Sequence, residues 1–151
     1  MRTPLPTRSM RLLSPAVLVA LAVFVLNDHV LKRLYPGALT GKLSDFAFLF
    51  FAPIVLATLL GGSRLRRAVA FALPTTLLCA INLSPAASDA FAGLLSLVVP
   101  SRLWPDPTDL LALGMLPLAW WHLDRQARSA QVRTKLAHGD TLIAALAGVA
   151  G

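Results

Sequence analysis

The stretch that decides the fold is LSDFAFLFFAPIVLATLL at residues 43–60, followed by Gly61-Gly62. It carries a single charged residue, Asp45, near its start. A helix that crosses a membrane needs about 20 mostly apolar residues, and glycines commonly end such a helix. The stretch therefore predicts a transmembrane helix, and with it an integral membrane protein.

The composition of the whole chain supports this class. Of its 151 residues, 56% are hydrophobic and 14% are charged, whereas soluble domains carry about 25% charged residues. All seven acidic residues are aspartates, and the lack of glutamate indicates that little helix surface is wet. Cys79 is the only cysteine, so an internal disulfide is excluded.

Three further apolar runs predict spans at residues 12–34, 67–83 and 107–123. With 43–60 they make an all-α integral membrane protein, a four-helix transmembrane bundle over residues 12–123. Arginines before the first run are also typical of a signal peptide, but no small-residue cleavage site follows them. An uncleaved first helix is therefore favoured.

Two other apolar stretches are too short to cross a bilayer alone. Residues 86–99 lie between Pro85 and Pro100 and predict a re-entrant or interfacial helix between spans three and four. Residues 141–151 form a short apolar end, which would either lie on the membrane or begin a fifth helix. The prolines at 53, 74 and 117 fall near the middle of spans two, three and four and predict kinks.

The basic residues predict the orientation of the bundle. Ten of the fourteen fall on one side of the four predicted spans and four on the other. The positive-inside rule then places the basic terminus 1–11 and the basic tail 124–151 in the cytoplasm, as expected for a bacterial inner-membrane protein. The net charge of +7 is thereby explained as a topology signal, and no nucleic-acid partner is predicted.

Polar side chains gather at the predicted outer ends of the spans and form a candidate ligand-binding site. Asp28 and Lys32 are four residues apart, so they share a helix face and can pair. Ser44 predicts a helix cap with Asp45 in the first turn, and Asp106 caps the fourth span. The alternative is that these groups are only wet caps at headgroup level. The full set is Asn27, Asp28, His29, Lys32, Lys42, Ser44, Asp45, Asp106, Thr108 and Asp109.

Carboxylates and an imidazole could also hold a divalent metal. No ligand spacing such as HExxH is present, and no metal or cofactor is predicted. The sequence has no GxSxG, Walker A or CxxC motif. No catalytic residue is assigned, and the sequence leaves open whether the chain is an enzyme.

Three motifs carry a resemblance: NDHVLK at 27–32, TGKLSDF at 40–46 and DPTDL at 106–110. Over roughly residues 15–123 the chain resembles a group of small, uncharacterised bacterial multi-pass membrane proteins, which implies no particular activity. It is also distantly similar to the VanZ-like family, linked to glycopeptide resistance, through residues 42–46 and through Arg102 with the two following aspartates. The histidine, Glu-x-x-Gln and Asn-x-x-Gly of that family are missing.

Three functions remain open from the sequence. The leading hypothesis is an externally facing site that binds a lipid headgroup or an envelope precursor, with lysines on phosphate and aspartates on hydroxyls or a cation. A second is a membrane enzyme acting on envelope lipids, with Asp45 or Asp109 as base and His29 as proton shuttle. A third is a scaffold subunit or homo-oligomer that docks a periplasmic partner. Transport is disfavoured because the inner half lacks polar side chains.

Overall fold

The computed structural model describes residues 14–61, 63–98 and 103–149, with side chains described as far as residue 132. Within these ranges every regular element is a helix, so the predicted all-α class is confirmed there. The elements in chain order are α1 (Pro15–Leu34), α2 (Ala38–Leu60), α3 (Arg64–Leu83), α4 (Pro85–Leu95), a 3₁₀ segment (Pro107–Gly114) and α5 (Met115–Val149).

α1 contains a π-helical turn at Asn27–Leu31, between the α-helical parts Pro15–Leu26 and Lys32–Leu34. A π turn adds one residue to a helical turn, so it rotates the residues that follow it, and such turns recur at functional sites. Here Asn27 is buried while His29 stays exposed. The turn therefore decides which polar side chain of the NDH motif enters the protein.

α2 begins at Ala38, five residues before the predicted span, with Gly37 as its capping residue. The prediction that Ser44 caps this helix with Asp45 in the first turn is therefore wrong. The earlier start is stabilised by Thr40, whose hydroxyl lies 2.9 Å from the Tyr35 carbonyl and 3.0 Å from that of Gly37. Ser44 is buried inside the helix and is free to bond to another helix.

α2 is the central helix, because α1, α3, the 3₁₀ segment and α5 all pack against it. Leu49 and Ile54 of α2 are completely buried. Alanines at 57, 70 and 119 belong to the same buried cluster as Ile54. Small residues allow membrane helices to approach closely, and packing is what drives their association in lipid.

α3 ends at Leu83, as predicted, because Ser84 precedes Pro85 and a residue before proline avoids the helical region. α4 then turns away from α3 by 113°. Its 11 residues extend over about 16 Å, about half of a hydrocarbon core. The helix is therefore shorter than the one predicted over residues 86–99, and it ends at Leu95.

α5 continues well beyond the predicted end of the fourth span at residue 123. It runs unbroken from Met115 to Val149, 35 residues. The interpretation of 141–151 as a separate fifth helix is therefore wrong as far as Val149. Pro117 lies in the first turn of α5 and not in the middle of the helix. A missing N–H costs little in the first turn. Pro53 and Pro74 lie inside α2 and α3, as predicted.

Two helices of the described residues are long and apolar enough to cross a membrane. They are α1, with a mean hydropathy of 1.6 over its best window, and α2, with 2.1. α3 and α4 together make a third candidate if the bent pair counts as one span. The fold is thus helical and carries helices that could span a membrane.

The central position of α2 predicts that Ile54→Ala strongly destabilises the protein. Truncating a fully buried isoleucine leaves a cavity, with an expected cost of about 2–5 kcal/mol. Leu59→Ala is the matched control, because Leu59 lies on the same helix but is exposed. Thermal unfolding in detergent micelles, followed by near-UV circular dichroism, measures both. Equal midpoints for the two variants would contradict the central packing of α2.

Candidate functional site

The polar side chains form two clusters on opposite flanks of the first half of α2. The Asn27 cluster joins α1 to α2 and contains Asn27, Asp28, Lys32, Thr40 and Ser44. The Lys42 cluster joins α2 to α3 and the 3₁₀ segment and contains Lys42, Asn82, Asp106, Thr108 and Asp109.

The Asn27 cluster is built around a fully buried amide. Asn27 Nδ2 donates to the Thr40 carbonyl at 2.6 Å and to Ser44 Oγ at 2.8 Å. Ser44 Oγ in turn donates to Asp28 Oδ1 at 2.6 Å, and Lys32 Nζ pairs with the same oxygen at 2.6 Å. The predicted pairing of Asp28 with Lys32 is therefore confirmed. The Asn27 Oδ1 atom is buried and has no partner among the described residues.

The Lys42 cluster is an ammonium held by two carboxylates. Lys42 Nζ lies 2.8 Å from Asp109 Oδ1 and 3.3 Å from Asp106 Oδ2, and it also donates to the Thr108 hydroxyl. Asp106 Oδ1 accepts from the Thr108 amide at 2.9 Å and from its hydroxyl at 2.6 Å, so the predicted cap is confirmed. These Thr108 bonds, with the Lys42 ammonium, hold the pKa of Asp106 below its usual value.

Asn82 and Thr40 belong to the clusters although they were not among the predicted site residues. The buried Asn82 accepts from the Asp106 amide at 3.1 Å through Oδ1, and its Nδ2 donates to the Leu78 carbonyl at 3.1 Å. A polar residue at the end of an apolar span was the available signal for Asn82. Thr40 lies before the predicted start of α2 at residue 43, so its contact with Asn27 was not expected.

Two predicted site residues stand outside both clusters. Asp45 is half-buried and makes no hydrogen bond or ion pair with the described residues. It lies within electrostatic range of Asp28 and Lys32 on one flank and of Lys42 and Asp109 on the other. His29 is exposed on α1 and has no described hydrogen-bond partner. The structure therefore does not bring His29 into contact with the carboxylates it was expected to serve.

The carboxylates of the two clusters are not arranged as a set of three or more metal ligands. Among residues 14–61, 63–98 and 103–132, no three histidine, cysteine or aspartate side chains converge as ligands. The carboxylates are instead engaged by lysines: Asp28 is paired with Lys32, while Asp106 and Asp109 share Lys42. A divalent cation at either cluster would compete with an ammonium for these carboxylates.

The opposite end of the bundle carries an arginine cluster that the sequence did not reveal. Arg67 of α3 lies with its guanidinium carbon 3.9 Å from the ring centre of Trp120 and contacts Asp124 at 3.5 Å. Arg128 pairs with the same carboxylate at 2.7 Å, and this bond is the main cause of the lowered pKa of Asp124. Acidic and basic groups thus form separate ion pairs at the two ends of the helices.

Comparison with known proteins shows no matching family model, no matching curated protein and no matching solved structure. The resemblances to the small bacterial multi-pass proteins and to the VanZ-like family therefore stay predictions from three motifs. Function has to be inferred from the geometry of the described side chains.

The Asn27 cluster predicts that Asn27→Leu weakens the attachment of α1 to α2. Leucine has a similar size but cannot donate to Thr40 and Ser44, and losing buried hydrogen-bond partners costs about 1–3 kcal/mol. His29→Leu, on the same π turn but exposed, is the matched control. Unfolding midpoints in detergent should fall for Asn27→Leu alone. A midpoint equal to that of His29→Leu would show that these hydrogen bonds do not hold the helices together.

Proposed function

We propose that the chain is a bacterial inner-membrane protein with four spans, both termini cytoplasmic and the Lys42 cluster on the outer side. Ser14 Oγ lies 2.9 Å from His122 Nε2, so the start of α1 contacts α5. This contact supports placing the N-terminus and the C-terminal tail on the same side of the membrane. That contact lies at the same end as Arg67 and Asp124. Five of the ten basic residues predicted to be cytoplasmic lie on described segments at this end: Arg64, Arg66, Arg67, Arg125 and Arg128.

The length of the fourth span supports the same topology. Residues 107–123 number only seventeen, which would be short for an ordinary α-helix. The first eight are 3₁₀-helical and rise about 2.0 Å each, while the next nine rise about 1.5 Å each. The run is thereby stretched to about 30 Å, which is the thickness of a hydrocarbon core.

This topology predicts that the connections before and after α2 lie on opposite sides of the membrane. In a chain with Cys79→Ala, single cysteines at Gly37 and at Gly62 are labelled with a membrane-impermeant maleimide in intact cells. Only Gly37→Cys should react before the membrane is broken, since it belongs to the outer turn. Reaction of both positions in intact cells, or of Gly62→Cys alone, would overturn the proposed orientation.

We further propose that the outer end binds the polar headgroup of a lipid or envelope precursor that carries an amine. The observation that supports this is Asp45, a half-buried carboxylate without an ion-pair partner among the described residues. A carboxylate accepts hydrogen bonds only, so it suits an ammonium or a hydroxyl. The proposal departs from the sequence expectation for Lys42, because its ammonium is already bonded to Asp106 and Asp109.

A phosphate of the same headgroup would meet Lys32 and Arg33. Both side chains are exposed at the end of α1, and Lys32 uses its ammonium on one carboxylate oxygen of Asp28. An ammonium has three donors, so further donors remain for an anion. An aspartate for the amine and basic side chains for the phosphate are complementary to a zwitterionic headgroup.

The contacts of the residues proposed for acid–base catalysis favour binding over catalysis. Asp109 is engaged by Lys42 at 2.8 Å, and His29 contacts neither Asp45 nor Asp109 in the described structure. General acid–base catalysis requires a base within hydrogen-bond reach of its proton and a relay that can reset it. Asp45 alone satisfies the requirements of a binding residue.

The proposal predicts that Asp45→Asn reduces the amine-bearing lipid that co-purifies with the protein. A hydrogen bond to a charged group is worth about 1.5–3 kcal/mol, so its loss should lower enrichment by about tenfold or more. Lipid mass spectrometry of the purified full chain measures the enrichment over the total membrane lipid. Asp89→Asn is the matched control, since Asp89 is an exposed carboxylate on α4. Unchanged enrichment in Asp45→Asn would refute headgroup binding at this residue.

A further inference from the structure

An apolar groove runs along α2 below Asp45. Its volume is about 460 Å³, within the range of about 300–1,000 Å³ that is typical of ligand pockets. α3 forms one wall, and Phe48 and Phe51 of α2 form the other. The Phe51 ring meets Phe24 of α1 edge-to-face, and the Phe48 ring is tilted against it. The lining residues are Phe48, Phe51, Ala52, Val55, Leu56, Leu73, Pro74 and Leu77.

Asp45 lies on the same face of α2 as the groove. Phe48, Ala52 and Leu56 follow it by three, seven and eleven residues, the spacing of a single helical stripe. Phe48 is therefore one turn from Asp45, about 4.5 Å along the helix axis. Of these four side chains only the carboxylate of Asp45 is polar.

We propose that Asp45 and this groove form one site for an amine-bearing lipid, with the ammonium on Asp45 and one acyl chain in the groove. The inference rests on the proposed headgroup binding and adds the position of the lipid's acyl chain. An apolar groove alone would accept any lipid, whereas the carboxylate at its end complements a cationic group. The site therefore distinguishes phosphatidylethanolamine from an anionic lipid with the same acyl chains.

Charge also argues against a second copy of the chain as the occupant. A partner helix covering the groove would remove the half-buried Asp45 from water beside an apolar surface. An unpaired carboxylate is costly to bury, and the described residues provide it with no ion-pair partner. A lipid ammonium neutralises the carboxylate, while its chain covers the groove.

Native mass spectrometry of the full chain tests the site with two probes, phosphatidylethanolamine and phosphatidylglycerol of identical acyl chains. Leu73→Trp fills the groove from a position that is 54% exposed, so the fold should tolerate it. Val55→Trp fills the groove from α2 as a second variant. The matched control is Leu83→Trp, on the same helix as Leu73 at 60% exposure but outside the groove lining.

We expect the groove-filling variants to bind phosphatidylethanolamine about tenfold more weakly, while Leu83→Trp binds as the wild type does. Asp45→Asn should abolish the preference for phosphatidylethanolamine over phosphatidylglycerol. If both groove-filling variants match Leu83→Trp while Asp45→Asn loses the preference, the groove inference is wrong and headgroup binding stands. If Asp45→Asn keeps the preference, headgroup binding at Asp45 fails as well. A dimer that dissociates in Leu73→Trp would identify the groove as an interface between copies and overturn the inference.

Discussion

The ammonium of Lys42 bonds to Asp109 at 2.8 Å and to Asp106 at 3.3 Å, and the arrangement of the polar end depends on this bridge. It ties α2 to the start of the 3₁₀ segment, which Asn82 also anchors to α3 through the Asp106 amide. Ionisable side chains at membrane depth are costly unless they have partners. One lysine thus pairs with two carboxylates and links α2, α3 and the 3₁₀ segment.

The second constraint on α2 comes from the buried amide of Asn27 on the other flank. In hydrocarbon, polar groups need partners inside the protein, and Asn27 finds two on α2, the Thr40 carbonyl and Ser44 Oγ. α1 is thereby attached at one side of α2 and the 3₁₀ segment at another. Between them Asp45 has no ion-pair partner in the part of the chain that the structure describes, and this difference from its neighbours makes it a candidate for binding.

Much of the fold was accessible from local patterns. The apolar run of α2, the end of α3 at Ser84-Pro85 and the cap at Asp106 each depend on neighbouring residues only, and each was predicted. The start of α2 was missed, because the Thr40 hydroxyl bonds to the Tyr35 and Gly37 carbonyls and allows the helix to begin before its apolar run. The π turn at Asn27–Leu31 was also missed, because the local sequence carries no signature for it.

The sequence by itself determined a helical protein with apolar helices, and it placed the polar residues at one end of them, because hydropathy and helix caps are local properties. It also identified eight of the ten residues that make the two clusters. Only the tertiary structure decided which of these groups neutralise one another. Lys42 and Asp109 are 67 residues apart in the chain, and a contact at that separation depends on how the helices pack. The same packing left Asp45 without an ion-pair partner among the described residues.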